Sequence, residues 1–184
     1  MTMPLPDNSI DTGHQEGESP GTDSKVSRLL RLLIIAGTVA VLDQVSKALV
    51  LRYLPLYSSK TIIPGFFNLT HIHNPGGAFG FLSGQSSTVQ TAVFLFASAL
   101  AAGVILYLYL TTPATHRFLA FGFALIFGGA IGNIVDRVRL GKVIDFLDVY
   151  IGDLHWPTFN IADSAVSIGI GIFIYHLVFN KMPK

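Results

Sequence analysis

The chain has 184 residues, a formal net charge of +1 and no cysteine. Hydrophobic residues make up 51% of it and charged residues only 12%, about half the charged fraction of an average soluble domain, which favours a membrane protein. The small net charge predicts no nucleic-acid partner, and the missing cysteines exclude disulfides, thiol nucleophiles and cysteine-ligated metals. His71 and His73 could share a strand face, but no third ligand is in view, so we predict no metal site.

Residues 1 to 27 are polar, rich in Gly, Pro and Ser, and without apolar periodicity. Such a segment cannot bury enough apolar surface to fold, so we predict a disordered tail. It holds five of the eleven acidic residues of the chain, namely Asp7, Asp11, Glu16, Glu18 and Asp23.

Four apolar stretches follow, each near the roughly 20 residues that cross a bilayer as a helix. They predict transmembrane helices at about 29–51, 89–110, 118–136 and 161–179, within one membrane domain of residues 28–184. Only continuous hydrogen-bonded helices suit such segments in lipid, so the predicted fold class is all-α integral membrane. The first stretch is too long for a cleaved signal peptide.

Four crossings place both termini on one side and the long loops, about 52–88 and 137–160, on the other. The cluster Lys25, Arg28 and Arg31 beside the first helix favours a cytoplasmic N-terminus. The six acidic residues after the tail all lie at or beyond the opposite face. Ionisable groups at membrane depth usually mark function, so this face is predicted to carry the chemistry. These six are Asp43, Asp136, Asp145, Asp148, Asp153 and Asp163.

Asp43 and Lys47 stand four residues apart near the end of the first helix and therefore share a helical face. They form either a self-neutralising pair or a polar anchor that supports a site inside the bundle. In the first loop, residues 66–72 alternate like a short strand. The following segment, Asn74 to Gly80, is a turn by its Pro and Gly content, or backbone brought close to a substrate that the Asn74 amide holds.

The last part of the third helix contains the pair Gly128 and Gly132, a spacing that lets another helix approach closely. Asn133, Asp136 and Arg137 follow on one face of the same helix. A simpler interpretation is that Asp136 and Arg137 only mark the water boundary. We expect Asp136 to be structural, because Arg137 and Asn133 lie within reach to neutralise and orient it.

Residues 143–149 form a short strand or an interfacial segment in which apolar neighbours flank Asp145. Poor solvation there would raise its carboxyl pKa, unless Asp145 lies exposed at a strand edge. Asn160 is a candidate N-cap of the fourth helix, which places Asp163 in the first turn, where the helix dipole favours a carboxylate. Capping and chemistry are both compatible with that position.

The residues required by metalloproteases, serine proteases and Ser–Lys proteases are not found in this sequence. The chain has no HExxH and no GxSG, and Ser46 and Lys47 are adjacent, so they point apart on a helix. What remains is a group of carboxylates at one membrane face. Two carboxylates that share a site keep one proton between them, and the ionised one can activate water. That is the chemistry of an aspartic protease.

Five segments in order resemble the lipoprotein signal peptidases, or type II signal peptidases. They are Asp43-Gln44-x-Ser46-Lys47, Asn74-x-Gly76-x-Ala78-Phe79, Gly128-Gly129-Ala130-x-Gly132-Asn133-x-x-Asp136-Arg137, Val143-Ile144-Asp145-Phe146 and Phe159-Asn160-x-Ala162-Asp163-Ser164. The resemblance covers residues from about 29 to 180. It departs from the family pattern at Asn74-Pro75-Gly76-Gly77, where Asn-Thr-Gly-Ala is common.

This resemblance implies an aspartic endopeptidase of the bacterial inner membrane that cleaves prolipoproteins before a diacylglyceryl-modified cysteine. It implies a monomer in contact with membrane lipids, with cytoplasmic termini, an extracytoplasmic active site and no metal or cofactor. It also implies a small β-structured platform in the first loop and a segment of the third loop over the site. The implied catalytic pair is Asp145 and Asp163. The implied supporting residues are Asp43, Lys47, Asn74, Gly76, Asn133, Asp136, Arg137 and Asn160.

The local environments predict that Asp163 is the base and that Asp145 holds the shared proton. The competing hypothesis is a small proton-coupled transporter with Asp43 and Lys47 in its pathway. It is disfavoured because the spans show no internal repeat and the second and third helices lack ionisable residues at mid-depth. An inert membrane scaffold leaves the clustered Asp, Asn and Arg unexplained.

Overall fold

A computed structural model describes residues 24–76 and 86–183 of the chain. Four helices dominate it: α1 (Lys25–Tyr53), α2 (Ser87–Thr111), α3 (Arg117–Leu140) and α4 (Ile161–Val178). Each is long and apolar enough to cross a membrane, by length and composition. Four short strands accompany them: β1 (Ser59–Ile63), β2 (Phe67–Asn74), β3 (Val143–Ile151) and β4 (Leu154–His155). The predicted four-helix membrane fold with a small sheet is confirmed.

Two helix boundaries, the start of α1 and the end of α3, differ from the predicted ones by four residues. Helix α1 begins at Lys25, because the Ser24 side chain accepts a hydrogen bond from the Ser27 N–H and caps the helix. Residues 25–27 therefore belong to α1, and the rest of the predicted tail, residues 1–23, lies outside the described residues. Helix α3 continues to Leu140 and ends where Gly141 adopts a left-handed conformation with φ of 70°.

Helix α3 lies at the centre and packs against the three other helices. Its glycines allow this approach. A Cβ added at Gly128 would lie 2.8 Å from the backbone of Ala36 in α1, and one at Gly129 would lie 2.4 Å from the carbonyl oxygen of Ala162 in α4. The predicted close helix contact is therefore present on two faces of α3. Large apolar side chains such as Leu42 and Phe96 are exposed on the outside, as expected for helices that face lipid.

The sheet joins the two long loops. Its strand order is β1-β2-β3-β4, with antiparallel neighbours, so β2 of the first loop pairs with β3 of the third. In this register Ile72 lies opposite Asp145, and Asn74 lies opposite Val143. The platform predicted for the first loop thus extends into the third loop. The segment that we interpreted as a strand or an interfacial segment is an inner strand, and it holds Asp145 beside the ends of α1, α3 and α4.

Candidate active site

Asp163 lies in the first turn of α4 and takes part in a reciprocal cap. The Asn160 side chain accepts a hydrogen bond from the Asp163 N–H at 2.9 Å, and Asp163 Oδ2 accepts one from the Asn160 N–H at 3.3 Å. The other carboxylate oxygen, Oδ1, accepts a hydrogen bond from Asn133 Nδ2 at 2.8 Å. The expected N-cap at Asn160 is therefore present, and it holds the Asp163 carboxylate at the positive end of a helix dipole.

Asp145 lies inside the sheet with 2% of its surface exposed. Its Oδ2 accepts a hydrogen bond from Asn74 Nδ2 at 2.9 Å, and its Oδ1 accepts one from Asn160 Nδ2 at 2.8 Å. Burial, together with the charge of Asp163, raises the pKa of Asp145 to about 6, although the two amide hydrogen bonds offset part of the effect. The alternative of an exposed Asp at a strand edge is wrong, because the Asp145 side chain is buried and β2 pairs with β3 at this position.

Two asparagines connect these carboxylates. The Asn160 amide nitrogen that donates to Asp145 also lies 3.2 Å from Asn133 Oδ1, and Asn133 Nδ2 donates to Asp163. A side-chain amide offers both a donor and an acceptor, so it can orient two acids without adding a charge. The chain Asp145–Asn160–Asn133–Asp163 is thus one continuous hydrogen-bonded network.

A buried ion cluster lies beneath this network. Lys47 Nζ contacts Asp43 Oδ2 and Asp136 Oδ2, both at 2.8 Å, and donates to Asn133 Oδ1 at 3.0 Å. Lys47 is 2% exposed and Asp43 is fully buried. Asp43 Oδ1 accepts a hydrogen bond from the Ala162 N–H in the first turn of α4 at 3.0 Å. The Asp43–Lys47 pair is therefore both self-neutralising and an anchor, since it connects α1 to α3 and α4.

The hydrogen-bond partners of Asp136 are not the predicted Arg137 and Asn133, although Arg137 lies within electrostatic reach of it. Its carboxylate contacts Lys47, accepts a hydrogen bond from Gln44 Nε2 at 2.8 Å and accepts another from the Ile144 N–H at 3.1 Å. Although Arg137 shares a face of α3 with it, the cation in direct contact with this carboxylate is Lys47 of α1. Asp136 instead fixes the start of β3, which agrees with the structural role that we expected.

Asn133 and Arg137 face the acids of the site. Asn133 contacts Lys47, Asn160 and Asp163 rather than Asp136. The half-buried Arg137 guanidinium lies within electrostatic reach of Asp163, Asp145 and Asp136, with Asp163 the strongest influence. Arg137 therefore places a positive charge next to the network.

Sequence reasoning missed Gln44 as a site residue. Gln44 donates to Asp136 and to the Gly132 carbonyl, and it accepts a hydrogen bond from Arg139. Its position beside Asp43, within an otherwise apolar helix, was the available signal.

Asn74 forms the edge of the site on the first loop. Its Oδ1 accepts a hydrogen bond from the Gly76 N–H at 2.8 Å, which is a turn, while its amide nitrogen holds Asp145. Gly76 has φ of 105°, and an added Cβ would lie 2.6 Å from the ring of Phe94 in α2, so only glycine fits there. The turn interpretation is therefore confirmed from Asn74 to Gly76, whereas contact of the Asn74 amide with a substrate remains a prediction. Its remainder, from Gly77 to Gly80, lies outside the described residues.

An open groove of about 650 Å³ runs beside Asp163. Its walls are mostly apolar and include Val149, Trp156 and Phe159 on the sheet side and Ile168 on α4. Ile168 is 58% exposed on the outer surface of that helix. The groove therefore connects the Asp163 carboxylate with the lipid-facing surface of the bundle.

His71 and His73 share a face of β2, with their Nε2 atoms 3.2 Å apart. Burial lowers the pKa of His73, and the charges of Lys142 and His71 lower it further. Within residues 24–76 and 86–183, no group of three or more His, Cys, Asp or Glu side chains is placed to hold a metal ion. The expectation that the protein needs no metal remains a prediction.

Comparison with known proteins identifies the family. Residues 35–179 match the model of signal peptidase (SPase) II. This chain belongs to the signal peptidase II family. The lipoprotein signal peptidase of Desulforapulum autotrophicum is 55% identical over 155 residues, which are 84% of this chain and 96% of that protein. The lipoprotein signal peptidase of Syntrophus aciditrophicus is 44% identical over 156 residues, 85% of this chain and 97% of that protein.

The fold has a counterpart among solved structures. A bacterial membrane enzyme determined by the in meso method at 2.3 Å resolution aligns with a TM-score of 0.73 and 32% identity, covering 83% of this chain and 90% of that one. Membership of the signal peptidase II family makes this chain a membrane protease that removes signal peptides from prolipoproteins. The family resemblance and the predicted removal of signal peptides from prolipoproteins are confirmed, and the transporter and scaffold hypotheses are set aside.

Proposed function

We propose that this signal peptidase II is an aspartic endopeptidase with Asp145 and Asp163 as its catalytic pair. The observation that carries the proposal is the network that joins one buried carboxyl group to one carboxylate beside an open groove. The two acids occupy different environments, and environments that separate the pKa values of two carboxyl groups are typical of acid–base pairs.

The environments also suggest the division of roles. Asp163 lies at the N-terminus of α4, accepts two hydrogen bonds and lines the groove, which suits the general base. Asp145 is buried and has a raised pKa, which favours its protonated form. Asp163 takes a proton from the attacking water, while Asp145 donates a hydrogen bond to the scissile carbonyl oxygen. The proton held by Asp163 then passes to the leaving nitrogen as the peptide bond breaks. Because the acids interact, the resting proton belongs to the pair as a whole.

The supporting residues act through the geometry of this pair. Asn133 and Asn160 orient the carboxyl groups, and the Asp43–Lys47–Asp136 cluster fixes the helices that carry them. On the other side of the network, Asn74 and Gly76 place an amide against Asp145. Arg137 supplies a positive charge that opposes the accumulation of negative charge during the reaction. Each supporting residue predicted from the motifs thus has a specific role in the proposal.

The groove indicates the kind of substrate. Its apolar walls and its opening on the outer face of α4 suit a chain that carries lipid, so we assign to it the diacylglyceryl-modified cysteine region of a prolipoprotein. All the proposed site residues come from one chain, which supports a monomeric enzyme. Lys25, Arg28 and Arg31 lie at the opposite end of the bundle, which supports cytoplasmic termini and an extracytoplasmic site in the inner membrane.

The test is cleavage of a diacylglyceryl-modified prolipoprotein by purified wild type, Asp145→Asn and Asp163→Asn. Asparagine keeps the shape of the side chain and removes the acid, so both folded variants are expected to lose cleavage. Asp153→Asn, a change at an exposed turn of the same loop, is the matched control and should cleave normally. Cleavage retained by both site variants would place the catalytic acids elsewhere, with Asp136 the next candidate. Equal cleavage of substrate with and without the lipid would refute the assignment of the groove.

A further inference from the structure

A second cavity lies at the end of the bundle opposite the candidate active site, between α1, the start of α3 and the turn that joins α2 to α3. Its volume is about 200 Å³. Three arginines line it, Arg28, Arg31 and Arg117, and none of the described lining residues is acidic. Much of the remaining wall is apolar and includes Ile35 and Phe121. The cavity therefore brings three guanidinium groups next to an apolar side.

Arg28 has a fixed position in this cavity. Its guanidinium donates hydrogen bonds to the backbone carbonyls of Tyr109, Leu110 and Thr112 at the end of α2, at 3.0, 3.1 and 2.5 Å. In return, the Tyr109 hydroxyl donates to the Arg28 carbonyl at 2.7 Å. Because a guanidinium carries five N–H donors, Arg28 can hold these carbonyls and bind an anion at the same time. The cavity is thus built around an ordered arginine rather than around mobile surface side chains.

The start of α3 adds to the positive potential. Arg117 is the first residue of α3, and its first turn contains no acidic residue. His116 occupies the N-cap without a side-chain hydrogen bond to the helix. The N-terminus of a helix favours negative charge, so the helix dipole and the three arginines act in the same direction.

The apolar wall distinguishes between possible anions. Phe121 is exposed and Ile35 is half-buried, and both lie on membrane-spanning helices next to the arginines. We propose that this cavity binds the phosphate of an anionic phospholipid, with the adjoining part of an acyl chain against Ile35 and Phe121. Inorganic phosphate has no apolar group that could pack against this wall. Basic pockets between transmembrane helices are known to hold anionic lipid headgroups, so the chemistry is general.

Native mass spectrometry and thermal unfolding of the full chain in detergent test this proposal. The probes are phosphatidylglycerol, phosphatidylcholine and inorganic phosphate. Phosphatidylglycerol is expected to form a one-to-one adduct and to raise the unfolding temperature, and the other two are not. The variant Arg31→Gln/Arg117→Gln should weaken that adduct roughly tenfold or more, since each arginine contributes to headgroup binding. The control Arg52→Gln/Lys60→Gln removes the same charge at the opposite end and should bind like wild type.

Several results would overturn the site. Equal weakening by the control variant would mean that only net charge matters, and unchanged binding by the site variant would place the lipid elsewhere. A comparable shift with inorganic phosphate would make the site a simple anion site. If the full chain binds phosphatidylglycerol only after the five acidic residues of segment 1–23 are changed to amides, that segment is the occupant instead. Variant unfolding temperatures without lipid show whether each protein is folded.

Discussion

The two ends of the helical bundle differ in how they hold charge. At the end that carries the proposed catalytic pair, Lys47, Asp43 and Asp136 are buried, and each charge lies within 3 Å of an opposite one. At the other end, Arg28 is half-exposed beside a cavity and contacts neutral carbonyl groups. A buried charge without its partner costs several kcal/mol, whereas a charge near the surface stays solvated. The buried end should therefore respond to single substitutions through folding, and the other end mainly through binding.

The largest effect is expected for Lys47→Met. This change leaves the Asp43 and Asp136 carboxylates buried without a cation, which should lower the free energy of unfolding by about 3–5 kcal/mol. Chemical unfolding of the purified protein in detergent measures it. The matched control is Lys60→Met on the exposed strand β1, where little change is expected. Equal losses in the two variants would remove the distinction between the buried cluster and the surface.

A second substitution, Gly129→Ala, is expected to have an effect of similar size, and it tests the helix contact that positions Asp163. The new Cβ would lie 2.4 Å from the Ala162 carbonyl oxygen. Because this oxygen belongs to the backbone and cannot turn aside as a side chain can, α4 must shift. We expect a loss of about 3 kcal/mol in unfolding free energy and reduced cleavage by the folded fraction. Gly103→Ala in α2, where an added Cβ meets nothing within 4 Å, is the control. A stable, fully active Gly129→Ala protein would show that the contact does not position the site.

The raised pKa of Asp145 predicts a pH dependence of stability. A carboxyl group whose pKa is near 6 in the folded protein and 3.8 when unfolded binds more protons when folded between those values. Its stabilising contribution is therefore present below pH 3.8 and is lost as the pH rises through about 6. Relative to wild type, Asp145→Asn should gain about 2 kcal/mol between pH 4 and pH 7. Chemical unfolding of both proteins at several pH values in this range measures the difference. If the unfolding free energies of the two proteins change with pH in parallel, the raised pKa of Asp145 is contradicted.

The smallest effect is expected at the exposed hairpin formed by β3 and β4. His155 Nδ1 lies 2.7 Å from Asp148 Oδ1, and its ring stacks on Tyr150. Burial raises the pKa of Asp148, but hydrogen bonds from His155 and Asn68 outweigh it and lower the pKa below the ordinary value. His155→Phe keeps a stacking ring and removes that hydrogen bond, so about 1 kcal/mol should be lost at pH 7. Because a lowered pKa stabilises only at higher pH, the difference should shrink as the pH falls below about 4. A difference that stays constant with pH would attribute the loss to packing instead.

The sequence was most informative where one physical requirement decides the structure. Apolar length alone identified the four spans, and the glycine spacing in α3 identified a close helix contact. The N-cap at Asn160 followed from local backbone chemistry. The pairing of β2 with β3 was beyond such reasoning, because it joins segments about 70 residues apart in the chain. For the same reason the direct ionic partner of Asp136 was not predicted, since helical spacing identifies residues on one helix but not the lysine that a second helix presents.

The groove beside Asp163 determines how the rate of this enzyme should depend on concentration. The groove opens through Ile168 on the outer face of a membrane-spanning helix, so under the proposed assignment a lipid-bearing substrate reaches Asp163 by moving within the bilayer. The encounter is then a search in two dimensions, and the relevant quantity is substrate per lipid rather than substrate per volume of solution. Adding inert lipid at constant enzyme and substrate should slow cleavage, whereas diluting the same vesicles with buffer should not.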